Sequence, residues 1–534
     1  MTHQLGRHLD HDILSPLPDV RLEKFFTTPF KNAVATAKTC YASTGIVRDE
    51  KINLTPDELG HASRDTQIAK SIYEAGHHTT LQHATFQFSL SGVSRQFIWS
   101  FLHAHPFYNS EQVSQRYVEV KHENFFVPKL TGEALSVYQA ALHTQMSAYR
   151  ELCRLLTPPA AREFYNRFPA RAKQSEKYAK EIQKKSQEVA RYVLPVATTA
   201  YLYHTVSGLT LLRYYKMMNT FDCPTEQKVV IGKMVELLLE HDENYRLVLE
   251  SPMELEETPE YKFLLAHHEN LTAKVRRSFI DEFDKSLDGK LSRLIDWKAN
   301  GETVLAASVR EVFGLSQNEL SDADAIELAL NPKLNTELGA SLVSTTHSKL
   351  SRALVHNHYS FRKKLSHTAD SQDQRHRMTP ASRPVLAAHF SDEPDFITPE
   401  LVKLDAASER IYTETMSRSW EAIAKLRRLG VSDEWAMYLL PNAVSVRFTE
   451  SADLLNLHHK MQMRLCYNAQ EEIWRASLDE AMAIRERHPS IGKYLLPPCT
   501  IRHIAGIRPT CPEGERYCGV KVWRLELDEY QRTI

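Results

Sequence analysis

Three short patterns occur twice in this chain, in the same order. In the first half, His83-Ala-Thr-Phe86-Gln-Phe88 is followed six residues later by Ser94; in the second, His356-Asn-His-Tyr359-Ser-Phe361 is followed five residues later by Ser366. Downstream, Val193-Leu194-Pro195 has a partner in Leu439-Leu440-Pro441, and the residue 23 positions after each proline is Met218 in one half and Arg464 in the other. A single match of this kind arises by chance. Three in one order point to a duplicated unit, which constrains the fold more than any local propensity does. The expected fold class is α+β, with two homologous units in tandem, each a β-sheet flanked by helices and carrying helical insertions.

At 534 residues the chain is too long for one ordinary core. The first unit is placed at 18–255, a helical linker at 256–298, the second unit at 299–498 and a small C-terminal module at 499–534. The segment from His77 to Ser94 alternates apolar and polar residues, with Phe86 and Phe88 among the former, as a half-buried strand does. Within the first unit, 131–189 is rich in Ala, Glu, Lys, Gln and Arg with apolar residues three and four apart, which predicts a long helical insertion or hairpin.

The 66 basic and 67 acidic residues leave no net field to draw the protein onto nucleic acid or a membrane surface, so any anion must be met by placed arginines. The start, MTHQLGRHLDHD, lacks the apolar run of a signal peptide, and nowhere do eighteen apolar residues follow one another. A cytoplasmic protein is expected. Seven cysteines are too few for a disulfide framework at this size.

The residues that carry chemistry are divided between the halves. The run Leu81-Gln-His83-Ala-Thr-Phe-Gln-Phe-Ser-Leu-Ser-Gly-Val-Ser94-Arg95 leads to Asn109-Ser-Glu111-Gln112-Val-Ser114-Gln115-Arg116-Tyr117. The second half has Asp370-Ser-Gln372-Asp-Gln-Arg375-His376-Arg377. Together these resemble the flavin-dependent thymidylate synthases, whose signature is an Arg-His-Arg triplet followed by Ser-x-Arg-Tyr. The first half keeps Ser114-Gln115-Arg116-Tyr117 but reads His103-Ala104-His105 at the triplet. The second keeps the triplet, but Met378-Thr-Pro380-Ala-Ser-Arg-Pro384-Val385-Leu386-Ala387 offers no Ser-x-Arg. The arginine before Leu-Pro is Arg191 in the first half and Met437 in the second.

In that family each site is shared between subunits, and the resemblance implies the same division here between halves of one chain. Gln372, Arg375, His376, Arg377 and Arg464 would face Glu111, Gln112, Ser114, Gln115, Arg116 and Arg191. The reciprocal place, with His103, Met218, Val385, Ala387 and Met437, would have no grip on a phosphate. Guanidinium forks suit a nucleotide phosphate, which points to Arg116 and Arg191. A cation beside a uracil ring stabilises the anion that makes C5 nucleophilic, a role the resemblance gives to Arg464, with Ser114 also in the catalytic set. Arg375 would bridge nucleotide and flavin, and His376, Arg377, His83, His356 and His459 would lie toward FAD.

The implied reaction is reductive methylation of dUMP, or a related pyrimidine nucleotide, with methylenetetrahydrofolate and NADPH as co-substrates. The resemblance further implies a homodimer that reproduces the four units of family tetramers. The family's late-helix asparagines correspond to Ser207 and Arg213 in one half and to Asp453 and His459 in the other. A nucleotide-binding homologue without turnover is therefore the alternative.

Near the end, Cys499, His503, Cys511 and Cys518 fall within twenty residues among glycines and prolines. A Cys3His set is one that structural zinc takes, although these spacings are looser than Cys-x2-Cys, and buried thiols beside a surface histidine are the other expectation.

Overall fold

The computed structural model describes residues 12–120, 124–219 and 222–532. Two four-stranded antiparallel sheets organise it. The first comprises β1 (Asp19–Phe25), β2 (Thr85–Ser94), β3 (Asn109–Gln112) and β4 (Thr199–Ser207), in the order β1-β2-β4-β3. The second comprises β5 (Ser292–Trp297), β6 (His358–Ser366), β7 (Ala381–Ser382) and β8 (Ser445–Asp453), in the order β5-β6-β8-β7. Position for position, the second order repeats the first.

The central strands show why. In β2, Phe86, Phe88, Leu90 and Val93 are buried; in β6, Tyr359, Phe361, Lys363 and Leu365 are. One face of each strand thus packs inward at period two. The strand begins at Thr85 rather than His77, because His78–Gln82 forms a 3-10 turn ahead of it. The six-versus-five spacing has a local cause. The β2–β4 register shifts between Ser91 and Val93, and Gly92 there sits at φ +73°, whereas β6–β8 runs without a shift. The extra residue is a β-bulge, built where glycine tolerates a left-handed backbone.

Each central strand ends on a serine that caps the next helix. Ser94 Oγ accepts from Phe97 N (2.9 Å) and opens the helix Arg95–His103, while Ser366 Oγ accepts from Ala369 N (3.1 Å) and opens His367–Asp373. Both serines are anchored to a buried carboxyl on a later helix. Ser94 N and Oγ donate to Glu226 at 2.7 and 2.5 Å, and Ser366 N and Oγ to Glu472 at 2.6 Å each. The third donor comes from the opposite half, Tyr438 to Glu226 (2.7 Å) and Tyr192 to Glu472 (2.5 Å).

The Leu-Pro segments are themselves the junction. Pro195 and Pro441 form an antiparallel bridge. Around it, Val196 N donates to Leu440 O and Asn442 N to Leu194 O, both at 2.8 Å; Ala197 N donates to Tyr438 O (3.0 Å) and Ala443 N to Tyr192 O (2.9 Å). Each bond has a counterpart with the halves exchanged, so the halves meet about a local two-fold axis. Buried side chains from both halves form one contiguous core.

Residues 131–189 fold as the helices Gly132–Leu155, Thr157–Arg167 and Ser175–Ala190 rather than as a hairpin, and the first packs along Ala406–Arg428 of the second half. The stretch 256–298 contains the helices Pro259–His267 and Ala273–Leu287, but also β5. The second sheet therefore starts inside the expected linker. Beyond 498 the chain is not a separate module. Cys499, Val522, Leu527 and Tyr530 enter the common core. Among the described residues no helix is long and apolar enough to cross a membrane.

Candidate active site

A cavity of about 770 Å³ opens between the halves. Its walls carry Glu111, Gln112, Ser114, Gln115, Arg116 and Arg191 from the first half and Gln372, Arg375, His459 and Arg464 from the second. Seven arginines line it against two glutamates, a balance that favours an anionic ligand.

The loop after β3 presents Ser114 to Tyr117, and its arginine is tied down twice. Arg116 Nε donates to Glu188 Oε2 (2.5 Å) at the end of the helix Ser175–Ala190, and its terminal nitrogen to Asn468 O (2.6 Å) of the other half. Burial raises the affinity of the Glu188 carboxyl for a proton, but Arg116 and Lys185 outweigh it and hold the group down at about 2. Arg191 ends the same helix and reaches Gln470 Oε1 at 2.7 Å. Asn442, just after the second Leu-Pro, donates to Arg191 O at 2.9 Å.

From the second half, Arg464 closes the helix Leu454–Arg464 and donates to Gln372 O at 2.6 Å, leaving its buried Nε without a partner. Burial pushes its proton affinity down to about 10; Arg116 and Arg375 add to this and Asp373 opposes it. Gln372 Oε1 accepts from Gln470 N at 3.2 Å. Arg375 is half exposed and meets Glu111 at 3.4 Å across the cavity.

The other expected cofactor contacts lie elsewhere. His376 is half-buried and does not line the cavity, its ring 6.0 Å from that of His459 and its buried Nε2 unpartnered. Arg377 stacks over Tyr108 at 5.2 Å. His83 and His356 are exposed and do not line the cavity. The turn after Asp373 is closed by His376 N donating to Asp373 O (2.9 Å), and of the triplet only Arg375 lines the cavity.

Several wall residues carried no role in the sequence. Arg95 follows the capping serine directly, donates to Gln112 Oε1 (2.7 Å) and Val113 O (2.8 Å), and is pushed down to about 9 by burial and by Arg191. Its position after a strand-ending serine was the available signal. Arg502, Glu513 and Arg516 come from the C-terminal segment and had none, because only folding brings that segment here.

At the reciprocal place the protein's own carboxylates take the donors. Asp370 is fully buried, paired with Arg383 (2.8 Å), and accepts from Trp99 Nε1 (2.8 Å), with His103 Nε2 3.5 Å away. Asp222 accepts from Ser100 Oγ (3.2 Å) and Leu386 N (3.0 Å). Leu386 and Met437 are buried in the core, and Met218 packs against it.

The zinc expectation is corrected. His503 is exposed and faces the Trp523 ring at 6.4 Å, while Cys499 packs inward. Among the described residues no group of three or more His, Cys, Asp or Glu side chains is arranged to hold a metal ion.

The family model described as thymidylate synthase complementing protein matches residues 21–242 and 293–490. A flavin-dependent thymidylate synthase of Clostridium tetani is 24% identical over 200 residues, 37% of this chain and 72% of that protein. One from Nitratidesulfovibrio vulgaris is 26% identical over 226 residues, 42% of this chain and 83% of that protein. One from Sulfolobus acidocaldarius is 27% identical over 223 residues, 39% of this chain and 78% of that protein.

Proposed function

The chain belongs to the thymidylate synthase complementing protein family, and on that premise we propose that its two halves arose by duplication and build one composite site for reductive methylation of dUMP, or a related pyrimidine nucleotide, at C5. The observation that carries this is the single cavity to which Arg116 and Arg191 come from one half and Arg375 and Arg464 from the other.

The residues fit a nucleotide and a flavin. Unpartnered buried donors border the cavity at Arg95 Nε, Gln115 Nε2 and Arg464 Nε, and a volume of about 770 Å³ lies within the range of small-molecule sites. Arg116 and Arg191 hold the phosphate by charge-assisted hydrogen bonds. Arg464, itself buried, faces the ring and stabilises negative charge as it develops there. FAD would lie against Arg375 and His459; bound reduced flavin would supply the hydride, and methylenetetrahydrofolate the methylene carbon that the hydride reduces to the methyl group. NADPH is the proposed reductant, and the working assembly a homodimer.

His376 and Arg377 do not line the cavity, and this favours one second reading, a nucleotide-binding homologue without turnover. Flavin absorbance of the purified protein, followed by assay of thymidylate formation from dUMP, separates the two. A colourless protein that binds dUMP and forms no product would replace the enzyme reading with the binder.

A further inference from the structure

Behind the Arg464 wall lies a group of five ionisable side chains at 0 or 1% exposure. Lys363 Nζ reaches Asp373 (2.6 Å), Glu480 (3.0 Å) and Glu450 (3.4 Å). Lys460 Nζ reaches Asp373 (3.3 Å), Glu480 (3.7 Å) and Glu450. The five come from β6, β8 and the helices His367–Asp373, Leu454–Arg464 and Glu471–Arg487, and Ser292 of β5 adds a bond to Glu480 at 3.0 Å.

The first half supplies an internal control. The matching strand registers, the capping serines and the paired prolines align these positions with Leu90, Phe101, His204, Tyr214 and Met234. There the packing is apolar and aromatic. Phe101 lies 4.8 Å from His204 and 4.5 Å from Tyr214, and His204 Nε2 is 3.1 Å from Tyr214 OH. The same layer is thus built without ions. Burying charges carries a desolvation cost that apolar packing avoids, so fold stability alone does not account for them.

What distinguishes the charged half is that it delivers Arg375 and Arg464. Asp373 sits between Gln372, whose carbonyl holds Arg464, and the turn that carries Arg375. Lys460 lies one helical turn before Arg464, on the same face. We propose that Lys363, Asp373, Glu450, Lys460 and Glu480 are positioning residues, a buried ionic clamp that fixes the Gln372–Arg377 turn and Arg464 at the cavity. This rests on the nucleotide site proposed above. Although burial opposes ionisation of Asp373, the two lysines keep it a carboxylate, and it in turn favours the charged form of Arg464.

The test uses the full chain with Lys460→Met, Lys460→Arg and the fivefold variant Lys363→Leu, Asp373→Phe, Glu450→His, Lys460→Tyr, Glu480→Met, which installs the first half's residues. Circular dichroism and melting establish folding, calorimetry with dUMP reads the site, and hydrogen exchange reads residues 372–379. The expected result is a folded Lys460→Met protein that loses at least about tenfold in dUMP affinity and exchanges faster at 372–379, with Lys460→Arg restoring most of the binding. A folded Lys460→Met or fivefold variant with wild-type affinity and exchange overturns the proposal. If neither folds, the cluster is a folding element and the positioning role falls. If wild-type protein binds no dUMP, the nucleotide reading fails separately, and exchange at 372–379 in Lys460→Met decides the clamp: faster exchange upholds it and unchanged exchange overturns it.

Discussion

Arg116 donates a 2.6 Å hydrogen bond to the carbonyl of Asn468, joining the loop after β3 to the segment that follows the Arg464 helix. One end of the composite cavity is fastened by this bond, and the guanidinium is held there by Glu188 at 2.5 Å as well.

Arg116→Ala and Arg375→Ala are each expected to abolish tight dUMP binding although they lie in different halves. Losing the Arg116 guanidinium from a desolvated phosphate contact costs about 2 to 5 kcal/mol, more than tenfold in affinity, and losing Arg375 removes the bridge between nucleotide and flavin. Arg116→Ala should also lower the melting temperature, since it strips Glu188 of its closest partner. Arg375 is half exposed, so its replacement should leave melting nearly unchanged. Titration calorimetry and thermal melts check both, and wild-type affinity in either variant would refute the shared site.

The bulge makes a second expectation. Gly92 has open space for a Cβ, with nothing nearer than 3.7 Å, so only its φ of +73° resists a side chain. Gly92→Ala should destabilise by about 1 to 2 kcal/mol. Deleting Gly92 would give β2 the uninterrupted register of β6, and chemical denaturation should find that deletion no worse than the substitution.

How much of this was legible from residues alone depends on what each position answers to. The ten wall residues from Glu111 to Arg464 are those the family resemblance points to, and short local motifs can be matched without knowledge of packing. His376 and Arg377 follow Arg375 directly in sequence, but only Arg375 lines the cavity, and adjacency cannot express that. His503 was grouped with three cysteines by spacing, yet its ring turns to Trp523 at the surface. Lys363 did leave a trace, since it occupies the inward register of a strand whose other inward residues are Tyr359, Phe361 and Leu365. A lysine there needs buried carboxylates, and nothing local names them.

A pH dependence follows from the paired carboxyls at the two-fold junction. Burial raises Glu226 and Glu472 from 4.5 to about 7, because three donors each do not outweigh desolvation. A carboxyl whose folded value is raised stabilises the fold fully below its unfolded value and loses that contribution as pH rises through the folded one. Stability from this pair should therefore fall between about pH 4.5 and 7, on the order of 3 kcal/mol per group. The double variant Glu226→Gln, Glu472→Gln keeps the shape without a titrating proton. Its melting temperature should vary less steeply with pH over that window than the wild type's, and an identical slope would count against the assignment.

The last expectation separates chemistry from binding. Arg464 and Met218 stand at equivalent distances beyond their Leu-Pro segments, but Arg464 lines the cavity and Met218 packs against the core, at a place where Asp222 and Asp370 already occupy the nearby donors. A thioether cannot stabilise an anionic ring. A guanidinium held away from water can lower such a barrier by roughly 3 to 4 kcal/mol, a factor of 10² to 10³ in rate. Arg464→Met should accordingly abolish dUMP-dependent methyl transfer from methylenetetrahydrofolate in the presence of FAD and NADPH, while Met218→Leu, which conserves apolar volume, should leave the rate within about threefold of wild type. Equal loss from both would mean that both places are competent. Retention of full activity in Arg464→Met would remove the arginine from the chemistry and leave it a binding residue at most.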